Sequence, residues 1–146
     1  MNLKLSKEEI VLQEVIVESN LDGFTSMKQT SRQIGNLIFK DEEKFKEYLL
    51  CIDEVFYNCI AHAYEGEYGN IDIKYYLNEE YLKVSIKDSG VGIPTKYTEE
   101  TPKLSDDLLA ESGRGLFIVN NMCDKLIIKS NENDGTEVII YFKKGW

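Results

Sequence analysis

Apolar residues recur along this chain with two different periods, and the switches between them divide it into elements. From Glu9 to Val17 the run is apolar and β-branched, which predicts a strand. Leu21-Asp22-Gly23 interrupts it. Phe24, Met27, Ile34 and Ile38 then fall on one helical face and predict a first helix from about Phe24 to Phe39. Asp41 is an N-cap candidate, and the Glu42 and Glu43 charges suit the positive end of a helix dipole. A second helix is expected from there to about Tyr64, with Phe45, Leu49, Ile52, Phe56, Ile60 and Ala63 as its core stripe. The period then becomes two. Ile71, Ile73, Tyr75 and Leu77 alternate with polar residues, as do Leu82, Val84 and Ile86, and Asn78-Glu79-Glu80 joins the runs into an antiparallel hairpin. From Gly90 to Ser112 no period holds, and both prolines fall there; a long aperiodic stretch inside a compact domain is usually functional or mobile. A third helix starts near Gly113 and carries Leu116, Phe117, Val119 and Met122. Leu126–Lys129 and Thr136–Phe142 read as a closing strand pair turned at Asp134-Gly135. The order β-α-α-β-β-loop-α-β-β predicts an α+β fold, a two-layer α/β sandwich with helices over one face of a mixed, mostly antiparallel sheet.

Length and charge narrow what such a fold can do. A chain of 146 residues argues for a single domain spanning 1–146, large enough to bury a core without disulfides or a structural metal. The net charge of −9 argues against a broad basic face, so direct nucleic-acid binding is not expected. Cys51, Cys59 and Cys123 are odd in number and irregular in spacing, which reads as reduced and mostly buried thiols. The start MNLKLSKEEI lacks the apolar core of a signal peptide, and no apolar run reaches membrane-spanning length. A cytoplasmic protein that does not engage membranes is the expectation.

Four polar features stand out against this frame. Glu54, Asn58 and His62 are spaced four apart on the second helix, which keeps them on one face with a drift of about 40° per step. Asp88-Ser89-Gly90-Val91-Gly92 follows the second hairpin strand; an Asp at a strand end can accept from an exocyclic amine, and the glycines permit sharp bends close to a ligand. Gly113-Arg114-Gly115 opens the third helix, where free N–H groups and the helix dipole favour an anion such as phosphate. No Gly-Lys-Ser/Thr triplet follows, so this is not a Walker A loop. Gly135-Thr136 sits in the last turn. Taken singly, these features also read as a solvated helix face, a plain turn, a hinge and an ordinary hairpin.

Their fixed order on fitting elements is more specific. Through the stretches DEVFYNCIAHAYEG, KDSGVGIP, SGRGLFIVNNMCDKL and DGTEVIIYF, the chain resembles the GHKL ATPase superfamily with its Bergerat ATP-binding fold, and within it the RsbW-like anti-sigma-factor serine/threonine kinases. The resemblance runs from about Glu9 to Lys143. It implies ATP and Mg²⁺ as the bound groups. It implies Glu54 as general base, Asn58 as Mg²⁺ ligand, His62 near the phosphates, and Asp88 as acceptor from the adenine amine. Gly90 and Gly92 would lie beneath the adenine, Gly113 and Gly115 beside the phosphates, and Thr136 would support Asp88 and a bound water. The segment 93–112 would be a mobile ATP lid. The implied partners are proteins: a STAS-type anti-anti-sigma antagonist phosphorylated on a hydroxyl, and a sigma factor, with a homodimer left open. Two other functions remain in view: a non-catalytic ATP-gated binding module, and a detached sensor histidine kinase core. Glu54 favours catalysis over the first, because pure binding needs no base.

Overall fold

The computed structural model describes residues 8–60, 69–89, 115–131 and 135–144. Within them the elements are β1 (Ile10–Glu18), α1 (Leu21–Ile38), α2 (Glu42–Asn58), β2 (Asn70–Leu77), β3 (Tyr81–Asp88), α3 (Gly115–Met122), β4 (Lys125–Asn131) and β5 (Gly135–Lys143). The strands form one sheet in the order β1-β2-β3-β5-β4. All four described pairings are antiparallel, and no parallel pair occurs among the described residues. This is the expected α+β architecture.

Alternation of side chains selects the buried face of the sheet. Ile71, Ile73 and Tyr75 of β2, Leu82, Val84 and Ile86 of β3, Leu126 and Ile128 of β4, and Val138, Ile140 and Phe142 of β5 are all buried in one core with the helices. The register Ile73↔Ile86 and Ile86↔Val138 puts these residues in rows across the sheet. The β2–β3 turn is fixed by Asn78, whose Oδ1 accepts from the N–H groups of Glu80 and Tyr81 at 2.8 and 2.7 Å.

The first helix starts earlier than its apolar period suggests. Asn20 caps it by accepting from Gly23 N–H at 2.8 Å, and helical bonding begins with Phe24 N–H donating to Asn20 O at 2.9 Å. Leu21-Asp22-Gly23 is therefore the first turn and not a break. Gly23 is there for room: a Cβ on it would lie 1.8 Å from the Glu18 carbonyl oxygen at the end of β1. Asp41 caps α2 as expected, accepting from Glu43 N–H at 3.0 Å. The α-helix proper ends at Asn58, and the backbone widens into a π-type turn at Cys59 and Ile60. The remainder of the expected second helix, to Tyr64 and including Ala63, lies outside the described residues.

The core stripe of α2 is wider than a single row. Leu49, Ile52 and Phe56 are buried as expected, and so are Tyr48, Cys51, Val55 and Cys59. The helix packs against both α1 and α3, and its buried residues share one core with the sheet, so its covered face is wider than one stripe. A buried polar chain ties the layers together: Tyr48 Oη donates to Ser31 O at 2.8 Å, and the Ser31 and Tyr75 hydroxyls are 2.6 Å apart. Phe39, Tyr48 and Phe142 complete an aromatic cluster with centroids 5.0 to 6.2 Å apart. Cys51 and Cys59 are buried, Cys123 is half-buried, and all three are free thiols. Among the described residues, no helix is long and apolar enough to cross a membrane.

Candidate functional site

Helix α2 is amphipathic in an unusual sense, because its second stripe is polar and still largely covered. Glu54 and Asn58 are half-buried, and what covers them is the start of α3. A Cβ placed on Gly115 would lie 2.9 Å from Glu54 Oε2, 3.2 Å from Asn58 Nδ2 and 3.4 Å from Asn58 Oδ1. Glycine at this position lets the first turn of α3 sit directly against a carboxylate and an amide. The next turn anchors it: Leu116 and Val119 are buried, and the Cys51 thiol donates to Val119 O at 3.9 Å. The apolar stripe of α2 thus fixes α3, and the polar stripe meets its N-terminal end. Backbone N–H groups at such an end favour an anion.

The Asn58 amide is not fully used by the described residues. Its Nδ2 is buried and has no hydrogen-bond partner among the described residues. Leaving a buried polar group unpaired typically costs about 1–3 kcal/mol. An Asn side chain offers a carbonyl oxygen as well as N–H donors, so the position suits a bound group that takes up both. One oxygen ligand is also enough for Mg²⁺, which keeps most of its waters and takes phosphate oxygens. Among the described residues no cluster of three or more His, Cys, Asp or Glu offers a protein-only metal cage. The residues present therefore fit a metal held jointly with phosphates.

A second group lies where β3 and β5 meet. Asp88 ends β3 and is 3% exposed. Burying a carboxylate is expensive unless donors surround it. Its Oδ1 accepts from Thr136 N–H at 3.3 Å, and its Oδ2 accepts from the Cys59 thiol at 3.6 Å. Burial, with the Asp88 charge and hydrogen bond behind it, pushes the Cys59 thiol well above its usual range, so the sulfur keeps its proton and stays a donor. Gly135, at φ +83°, brings β5 in against this corner: a Cβ on it would lie 2.1 Å from the Asp88 carbonyl oxygen. Thr136 is buried beside it.

The chain itself joins the two groups. Asn58 meets Gly115, and the next residue, Cys59, meets Asp88. Of the residues expected to form a site, the structure thus brings Glu54, Asn58 and Gly115 together, and Asp88 with Thr136. His62, Gly90, Gly92 and Gly113, and the segment 93–112 expected to be a lid, lie outside the described residues. Sequence reasoning missed Cys59, taken there as a plain buried thiol, and missed the tight approach of Gly135. The signal for the first was its position beside Asn58. For the second it was the Asp-Gly pair, which also reads as a common hairpin turn.

The described residues thus form an antiparallel sheet covered by helices, with a polar stripe of α2 facing the glycine that opens α3 and a buried Asp at a strand end. The family model described as the histidine kinase-like ATPase domain matches residues 22–142, and the chain belongs to that family. The anti-sigma F factor of Bacillus cytotoxicus is 35% identical over 98 residues, covering 66% of this chain and 67% of the relative. That of Geobacillus stearothermophilus is 29% identical over 106 residues, 71% of each. Among solved structures, the histidine kinase domain from the Erythrobacter litoralis EL346 blue-light activated histidine kinase superposes with a TM-score of 0.55 at 20% identity. That match covers 84% of this chain, which spans 60% of the solved chain, and the likeness is one of fold.

Proposed function

We propose that this chain, as one domain, binds ATP with Mg²⁺ and transfers the γ-phosphoryl group to a serine or threonine hydroxyl of a protein partner. It would act as an anti-sigma-factor-like regulator. The observation that carries the reading is the meeting of Glu54 and Asn58 with Gly115 at the start of α3. Asp88 accepts from the adenine amine, and the end of α3 receives the phosphates. Asn58 would hold Mg²⁺ through its side-chain oxygen. Bound there, the metal neutralises phosphate charge. Glu54 orients the acceptor hydroxyl and takes its proton as the new P–O bond forms; the bond to the β–γ bridging oxygen breaks, and ADP leaves with the electron pair. The anti-sigma F factor names of the relatives support a sigma factor as one partner; the phosphoacceptor proposed is a STAS-type antagonist.

The test is chemical. Incubation with γ-labelled ATP, Mg²⁺ and a STAS-type partner is expected to label the partner in an acid-stable, alkali-labile form, as a serine or threonine ester behaves. Acid-labile label on this chain would instead support a histidine kinase, and binding without transfer would support an ATP-gated module.

The metal assignment has its own measurement. Wild type is expected to bind ATP about tenfold or more tightly with Mg²⁺ than without it, and Asn58→Ala to lose most of that difference. Calorimetric titrations with and without Mg²⁺ give the four constants. An unchanged metal dependence in the variant removes Asn58 as the ligand.

A further inference from the structure

An Asp side chain sets its carboxylate plane through a torsion with a broad, roughly two-fold profile, so sterics alone hold it loosely. Donors on both oxygens, from different elements, hold it firmly. Asp88 has that arrangement: Thr136 N–H of β5 on Oδ1 at 3.3 Å, and the Cys59 thiol, just past the end of α2, on Oδ2 at 3.6 Å. The Thr136 donor is main chain, so any residue but proline would supply it. The Cys59 donor is a side chain, and it belongs to the sequence. We propose that Cys59 is a positioning residue for base recognition: its S–H group fixes the plane of the Asp88 carboxylate so that the site accepts a 6-amino purine and rejects a 6-oxo purine. This inference rests on the nucleotide reading given above.

Two observations support it. Cys59 is 4% exposed and lies in the π-type turn that follows Asn58, a local widening of the helix of the kind that recurs at functional positions. The same short stretch carries Asn58 toward Gly115, so base and phosphate ends of the site are tied to one helix end. A carboxylate held as acceptor in one plane meets an exocyclic amine favourably. It meets the O6 oxygen of guanine as acceptor against acceptor. With the Cys59 donor removed, Oδ2 is held less tightly, and the distinction between the two bases weakens.

Four proteins test this: wild type, Cys59→Ser, Cys59→Ala and Cys59→Val. Serine keeps a donor, alanine removes it and leaves space, and valine removes it while filling the space. Affinities for Mg-ATP and Mg-GTP are measured by calorimetry, with thermal melts alongside. Serine is expected to keep the ATP-to-GTP ratio within about twofold of wild type, while alanine and valine lower it by about three- to tenfold through weaker ATP binding. A purely structural role would weaken both nucleotides together and follow the melting temperature, and that result overturns the proposal. So does a wild-type ratio in the alanine and valine variants when wild type binds ATP. A wild type that binds neither nucleotide overturns the nucleotide reading and this inference with it.

Discussion

Glu54→Gln is expected to bind ATP within about threefold of wild type and to transfer phosphate about 10²- to 10⁴-fold more slowly. The substitution keeps the size and shape of the side chain. It therefore leaves α3 seated, with Gly115 against an amide where the carboxylate was. On the proposed reading, binding contacts to the base lie elsewhere, at Asp88, and main-chain groups make the anion site. What glutamine lacks is the ability to accept the proton of the attacking hydroxyl. Loss of a negative charge beside the phosphates also works slightly in favour of ATP affinity. A rate loss with preserved affinity therefore separates a general base from a structural carboxylate. Nucleotide titration and single-turnover transfer on the same preparation decide it. Transfer at the wild-type rate rules out the base, while parallel loss of affinity and rate assigns Glu54 to holding the site together.

The fold was readable wherever one face of an element carries all the burial. The apolar positions of β2 and β3 alternate, so Ile71, Ile73, Tyr75, Leu82, Val84 and Ile86 announced both strands and their inward face, while the burial of Ser85 on the other face of β3 was not legible. The Glu54–Asn58 pair was readable for a related reason: a spacing of four on a helix places both on one face whatever covers it. Reading failed where the decisive contact is tertiary. Gly23 resembles a helix breaker until β1 is seen passing 1.8 Å from its would-be Cβ. Tyr48 was left out of the core stripe, yet it is fully buried, its hydroxyl donating a hydrogen bond to Ser31 O. Cys59 is the plainest case. Its apolar character predicts burial, which is correct, but its role as a donor depends on a carboxylate 29 residues away in sequence. Pattern carries which way a side chain faces; it does not carry what it meets.

Gly135→Ala is expected to destabilise the fold by about 3 kcal/mol or more, and to lower the melting temperature by roughly 10 °C for a chain of this length. Two effects act together. At φ +83° an L side chain is strained, by about 1–2 kcal/mol. In addition, the new Cβ would sit 2.1 Å from Asp88 O and 2.8 Å from Ser89 Cα, so a main chain must move. Asn tolerates positive φ better than Ala, which separates the two effects. If φ strain dominates, Gly135→Asn recovers much of the loss; if the close approach dominates, it is as damaging as Ala. The 2.1 Å distance favours the second outcome, because no side-chain rotation relieves a backbone contact. The damage also reaches the site: pushing β5 from β3 opens the 3.3 Å contact between Thr136 N–H and Asp88 Oδ1, so ATP affinity falls even at temperatures where the variant stays folded. Thermal melts and ATP titrations on both variants provide the check. A melting temperature within about 2 °C of wild type for Gly135→Ala would mean that the corner yields without cost, and the account of a rigid β3–β5 junction holding Asp88 would be wrong.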